Sequence, residues 1–235
     1  MFLRGAIDIN QAIQEKAIAI YPYDANAINN MAYNITLGQY YFKTEKKIDS
    51  FVYNPLDSEE VESYFDGPYK AISHERWAKL NKVKLLSYLS PDLLVISIAP
   101  HERVLLHSHE FLAIDENYRV EIIPQSFWTS NGLIIDCLNP ARESNDAVRI
   151  VFSVFNANRL NTILLPVGEA IANLMLYKDV LSSSNASKQP ALVKDLLDTL
   201  LSKAKKEWSP DKMLPSPDKY INEGFFKESN EQKDI

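Results

Sequence analysis

A chain of 235 residues, 46% of them hydrophobic, is long enough for one large domain with a packed core. Its formal charge of -6 leaves no excess of lysine and arginine to neutralise phosphate, so neither nucleic acid nor an anionic membrane surface is expected as a partner. Cys137 is the only cysteine, which excludes an intrachain disulfide and a cysteine cage for a metal; in its apolar surroundings it reads as a buried, inert thiol in a reducing compartment.

Asp8, Gln11, Gln14, Glu15 and Lys16 interrupt the opening, which therefore lacks the apolar stretch of a secretory signal. No apolar run reaches the roughly 18 residues that span a bilayer. A soluble protein of the cytoplasm is expected, or of a virion if virus-encoded. Ile7 to Lys16 carries apolar residues at 9, 12 and 13 behind Asp8, the pattern of a short amphipathic helix. Ala17 to Ile20 reads as a strand, and Pro22, Asp24, Asn26, Asn29 and Asn30 as a long turn. Ala32 to Phe42 follows as a strand in which Gly38 marks a bulge or a close backbone approach. Ser58 to Tyr88 is polar, aromatic and charged; it reads as an insertion at about 55–90, helical around Glu75 to Leu80, before a strand at Leu93 to Ile98.

From Val104 to Tyr177 the apolar period is two. Strands are expected at Val104 to Ala113, Tyr118 to Ile123, Gly132 to Leu138, Val148 to Asn156, and Asn161 to Tyr177 with a break at Pro166 and Gly168. This is the pattern of a mainly β sandwich or barrel. After Tyr177 the composition shifts: Ser182 to Ser187 is a linker, and Pro190 opens a helix. Ala191 to Lys206 then places leucine or valine at 192, 193, 196, 197, 200 and 201. That stripe must pack on the domain, on a neighbouring subunit or on another protein, since such a helix is marginal alone. From Trp208 onward, prolines alternate with charges and aromatics, as in an extended arm ordered where it docks. The organisation expected is a β domain over 1–178 and a linker, helix and arm over 179–235.

Two separated stretches carry a resemblance. The first is Phe2-Leu-Arg-Gly-Ala-Ile-Asp-Ile-Asn10, Ile18-Ala-Ile-Tyr-Pro-Tyr-Asp24 and Ala32-Tyr-Asn-Ile-Thr-Leu-Gly38. The second is His109-Glu-Phe-Leu-Ala113, Ser126, Gly132, the Ile150 to Asn156 strand, and Leu165-Pro-Val-Gly-Glu-Ala-Ile-Ala-Asn-Leu174. In order and spacing they resemble the dCTP deaminase and dUTPase superfamily. The resemblance implies a distorted β-barrel or jelly-roll-like domain, a homotrimer with nucleotide sites at subunit interfaces, and Mg²⁺ held through nucleotide phosphates. An active member would be a nucleotide hydrolase of the dCTP deaminase or dUTP diphosphatase type, binding a pyrimidine deoxynucleoside triphosphate.

The site residues implied are Gln125 and Ser126 for the nucleotide and Glu143 for activating water. Gln125-Ser-Phe-Trp-Thr-Ser130 stands where deaminases carry Arg-Ser-Ser-Leu-Ala-Arg, so Ser126 is kept and both arginines are lost. A guanidinium gives phosphate a charge-assisted bidentate contact that Ser or Gln cannot replace. Ser153 stands where the deaminases carry their catalytic Glu, and Glu143-Ser-Asn-Asp146 replaces an Asp-Pro-Gly turn. Glu143 falls near the water-activating Asp of dUTPases; it is either a retained catalytic carboxylate or a solvated turn residue. Gly38, Gly132 and Gly168, which serve backbone geometry, are kept.

Two functions fit this pattern: a divergent protein binding or acting on pyrimidine deoxynucleotides, and a catalytically inactive trimeric module that meets a protein partner through its C-terminal helix and arm. His101, His107 and His109 are either a metal pair and neighbour or ordinary turn and interface histidines. Phe127 and Trp128 either stack on a base or belong to the core or a subunit contact. Lys203, Lys205 and Lys206 complement a helix C-terminus.

Overall fold

The computed structural model describes residues 8–29, 32–44, 53–115, 118–138, 147–178 and 190–215. Helix α1 (Ile9–Gln14) starts where the Asp8 side chain accepts the Asn10 N–H, and it buries Ile9 and Ala12. Strand β1 (Ile18–Tyr21) follows, then a 3-10 turn at Ala25–Ala27, β2 (Ile28–Asn29) and the long β3 (Ala32–Thr44). The segment read as an insertion holds α2 (Ser58–Tyr64), β4 (Phe65–Lys70), β5 (Ile72–Ser73) and α3 (His74–Asn81). Next come β6 (Leu94–Ile98), β7 (Arg103–Ile114), β8 (Tyr118–Pro124), α4 (Ser126–Ser130), β9 (Leu133–Cys137), β10 (Val148–Asn156), β11 (Ile163–Pro166) and β12 (Ala170–Lys178). Helix α5 (Pro190–Glu207) and a 3-10 turn at Pro210–Met213 complete the described chain.

The strands are paired antiparallel in the order β8-β12-β3-β7-β10-β9, with β1 added to β7 and β2 and β4 added to β3; β11-β6-β5 form a smaller sheet. The large sheet curls until its end strands β8 and β9 touch, bridged by α4, so the fold is a nearly closed, distorted barrel. Alternate residues point inward: Tyr33, Ile35 and Leu37 from β3, Leu106 and Leu112 from β7, Phe152 and Val154 from β10, Leu174 and Leu176 from β12. Each such side chain contributes about 1.5–3 kcal/mol by leaving water. Gly168, at a φ of +87° that favours glycine, turns β11 into β12, and its N–H bonds to Leu37 O at 2.9 Å. This is the turn the Pro166-Val-Gly168 spacing predicts.

The centre of β7 departs from a regular ladder. Its register against β10 shifts between Arg149 and Val151, and β3 shifts against it between Leu37 and Tyr41. Two side chains take up the backbone groups this leaves over. The Ile150 N–H donates to Ser108 Oγ at 2.8 Å, and the Tyr40 N–H donates to His107 Nε2 at 3.2 Å. The backbone of Gly38 lies against the His107 ring so closely that a Cβ there would overlap it. Gly38 is therefore both features the sequence suggests, a bulge and a close approach.

The described part of the α5 stripe, from Leu197 on, lies on its own barrel. Leu197 and Leu201 are buried against Phe111 and Ala113 of β7, and Met213 reaches Phe42, Leu105 and Val151. Trp208 to Leu214, expected as part of an extended arm, is thus docked; the expected Ser182 to Ser187 linker and the arm from 216 lie outside the described residues. Among the described residues no helix is long and apolar enough to cross a membrane.

Candidate functional site at the barrel seam

Gln125 links β8 to α4 at the seam. Its N–H bonds to Ile171 O at 2.9 Å, and its Nε2 donates to Asn34 Oδ1 at 3.2 Å and Asn173 Oδ1 at 3.0 Å. Asn34 and Asn173 are cross-strand partners on β3 and β12. Both amide protons of Gln125 are thereby used, leaving the Oε1 lone pairs as what it offers a ligand. Ser126 opens α4 and is exposed, and Phe127 beside it is 64% exposed. Trp128 instead packs against the core, and its Nε1 donates to Ala170 O at 2.8 Å. The two neighbouring aromatics therefore divide the roles proposed for them: Trp128 fixes the helix, while Phe127 presents an open ring.

Two residues along β3 from Asn34, a distance of about 7 Å on the same face, Thr36 meets Glu110 of β7. The Thr36 N–H donates to Glu110 Oε2 at 3.0 Å and Thr36 Oγ1 donates to Oε1 at 2.6 Å. Glu110 is only 4% exposed, and burial pushes its pKa up against the pull of those two hydrogen bonds. A carboxyl in this state holds its proton to higher pH than an ordinary glutamate, which suits proton transfer. Gln125, Asn34, Asn173, Thr36 and Glu110 thus form one polar row across β12, β3 and β7. The sequence reading missed all but Gln125. The available signals were Asn34 and Thr36 at alternate positions of β3, and the His107 to Glu110 run that interrupts the apolar β7.

Glu143 lies outside the described residues. Ser153, on the outer face of β10, is 4% exposed and accepts a hydrogen bond from Arg103 Nη1 at 2.7 Å. Asp136 of β9 pairs with it across the ladder and lies 4.0 Å from the same Arg103 nitrogen. Cys137, expected as a buried thiol, is half-buried at the edge of the core and forms no disulfide.

The histidines do not converge. His101 and His109 are exposed, whereas His107 is fully buried, with Nε2 accepting from Tyr40 and Nδ1 2.6 Å from Ser108 O. The acceptor role of Nε2 assigns the proton to Nδ1. Burial holds the His107 pKa down at about 3, with Arg149 adding in the same direction. No group of three or more His, Cys, Asp or Glu side chains could hold a metal among the described residues.

No curated protein matches the chain by sequence. Among solved structures, a dCTP deaminase from Agrobacterium tumefaciens is similar at 10% identity and a TM-score of 0.47, covering 72% of this chain but 46% of that one. A mutant dUTPase from phage phi11 of S. aureus, described with a structural Mg(II) ion, is similar at 10% identity and a TM-score of 0.38, covering 68% and 90%. The EIAV dUTPase is 17% identical with a TM-score of 0.31, covering 41% and 74%. The family model described as dCTP deaminase-like matches residues 3–178, three quarters of the chain and the whole described barrel, and the chain belongs to that family.

Proposed function

We propose that the chain binds pyrimidine deoxynucleoside triphosphates at the barrel seam, as a homotrimer, and that an active form hydrolyses them by deamination or diphosphate release. The supporting observation is the polar row Gln125–Asn34–Asn173–Thr36–Glu110 ending beside the exposed Ser126 and Phe127, within a dCTP deaminase-like domain. Ser126 Oγ donates to phosphate, Gln125 Oε1 accepts from the ligand, and Glu143 orients the water. Mg²⁺, when bound, neutralises phosphate charge and is held by those phosphates. The protein works in the cytoplasm or, if virus-encoded, in a virion. Turnover of dCTP and dUTP tests the assignment: Ser126→Ala and Glu143→Gln each lower kcat/KM at least tenfold, and unchanged kinetics in both variants overturn it.

A second function is supported by the loss of charge at the seam. Gln125 and Ser130 stand where deaminases carry arginines, and Ser153, bound by Arg103, stands where they carry a carboxylate. In this case the trimer is a catalytically inactive module that meets a protein partner through the outer side of α5 and the arm. Nucleotide binding without turnover would favour it.

A further inference from the structure

The indole of Trp208 fills a box that the barrel builds from three strands. Its ring lies 4.8 Å from the His107 ring, 6.0 Å from Tyr40 and 6.4 Å from Phe111, the last edge-on at 89°. The Arg149 guanidinium carbon is 4.2 Å from the indole centroid and 4.4 Å from that of Phe111, so the cation sits in the corner between two perpendicular rings. Trp208 arrives from the end of α5, its N–H bonded to Ala204 O at 2.8 Å.

The box offers more than an indole can use. Arg149 Nε is buried without a hydrogen-bond partner, and no described carboxylate lies within ion-pair distance of the guanidinium. Its Nη1 lies 3.0 Å from His107 Nδ1, whose proton is already directed at the Ser108 carbonyl, so that contact sets one donor against another. Cation–π contacts favour the cation where it sits, yet a half-buried guanidinium with an unused N–H has no ion-pair partner among the described residues. Flat walls together with an unpaired guanidinium are complementary to a planar aromatic ring that carries a negative group.

We propose that this box is a binding site for an aromatic anion and that Trp208 is its tethered, displaceable plug. The ligand ring takes the place of the indole among Tyr40, His107 and Phe111, and its anionic group pairs with Arg149. A tethered indole competes at an effective concentration of roughly millimolar order, so the intact chain admits only ligands that outbid it. The box is lined by Tyr40, His107, Phe111 and Arg149, none of them a residue of the seam site, so its test is separate from that of nucleotide binding at the seam.

The test is calorimetric titration of the full chain and of Trp208→Ala with indole-3-acetate, indole and acetate. Trp208→Ala binds indole-3-acetate at least tenfold more tightly than indole, and at least tenfold more tightly than the unaltered chain does. Adding Arg149→Gln removes the preference for the acid, and acetate alone binds neither protein measurably. Trp208→Leu, which keeps apolar cover over the barrel, is titrated in the same way should the alanine variant not fold. Equal affinity for indole and indole-3-acetate, no binding of either, or failure of both variants to fold would overturn the proposal, since the indole would then be only a structural clamp.

Discussion

Gly38 and His107 compete for one volume: the ring that accepts the Tyr40 N–H sits where a Cβ on residue 38 would be. Gly38→Ala must push the ring or the backbone aside, so it costs about 3 kcal/mol, the upper end for overpacking. In a His107→Ala background that cost falls below about 1 kcal/mol, because the clashing group is gone; a cycle of urea midpoints measures both values. The same ring makes stability depend on pH. The unfolded chain protonates His107 near pH 6.5, whereas the folded chain does so only at about 3. Between these values the unfolded state binds more protons, so stability falls on acidification, by up to the order of 5 kcal/mol. Glu110 acts in the opposite direction, since its raised pKa lets the folded state take up a proton first as the pH falls. Subtracting His107→Gln from the unaltered chain cancels Glu110. The difference in urea midpoint between the two should shrink from pH 7 to pH 4, and a constant difference would contradict the assignment.

At the scale of elements, the sequence was most legible where one face is buried and one is not. Strands β7 to β12 either alternate apolar and polar residues or run in β-branched and aromatic clusters between polar turns, and α5 announces itself by Pro190 and a leucine stripe. Strand β4 was hidden because Gly67 and Pro68 argue against a strand; it pairs only with β3, so a proline on its free side costs no ladder bond. Helix α2 was hidden because it depends on the Asp57 cap over Glu59 and Glu60 more than on apolar periodicity. The candidate site was legible only as a motif position. Gln125 and Ser126 could be placed by resemblance, but Thr36 meets Glu110 across 74 residues and Gln125 meets Asn34 across 91, contacts made only by sheet register. Helix α5 yields its own prediction. Leu197 and Leu201 cover Phe111 and Ala113, so Leu197→Ala costs about 2–3 kcal/mol in urea denaturation, within the usual range for a buried leucine. A loss under 0.5 kcal/mol would mean the helix is not seated on the barrel.

For the molecule as a whole, the strap formed by α5, Trp208 and Met213 runs along the outer face of β7 and joins the C-terminal segment to the barrel. A chain ending at residue 178 bares Phe111, Leu105 and Val151 together, an apolar strip of the kind that drives association. Gel filtration should show it aggregating while the full chain stays monodisperse. The central claim is that this barrel takes a pyrimidine deoxynucleotide at its seam. The most direct test is the melting temperature of the full chain with dCTP, dUTP or dTTP, each with Mg²⁺. A ligand that binds only the folded state stabilises it by about 2.7 kcal/mol at a hundredfold excess over its Kd. The account predicts a rise with at least one of the three that Ser126→Ala abolishes; no rise with any of them would contradict it.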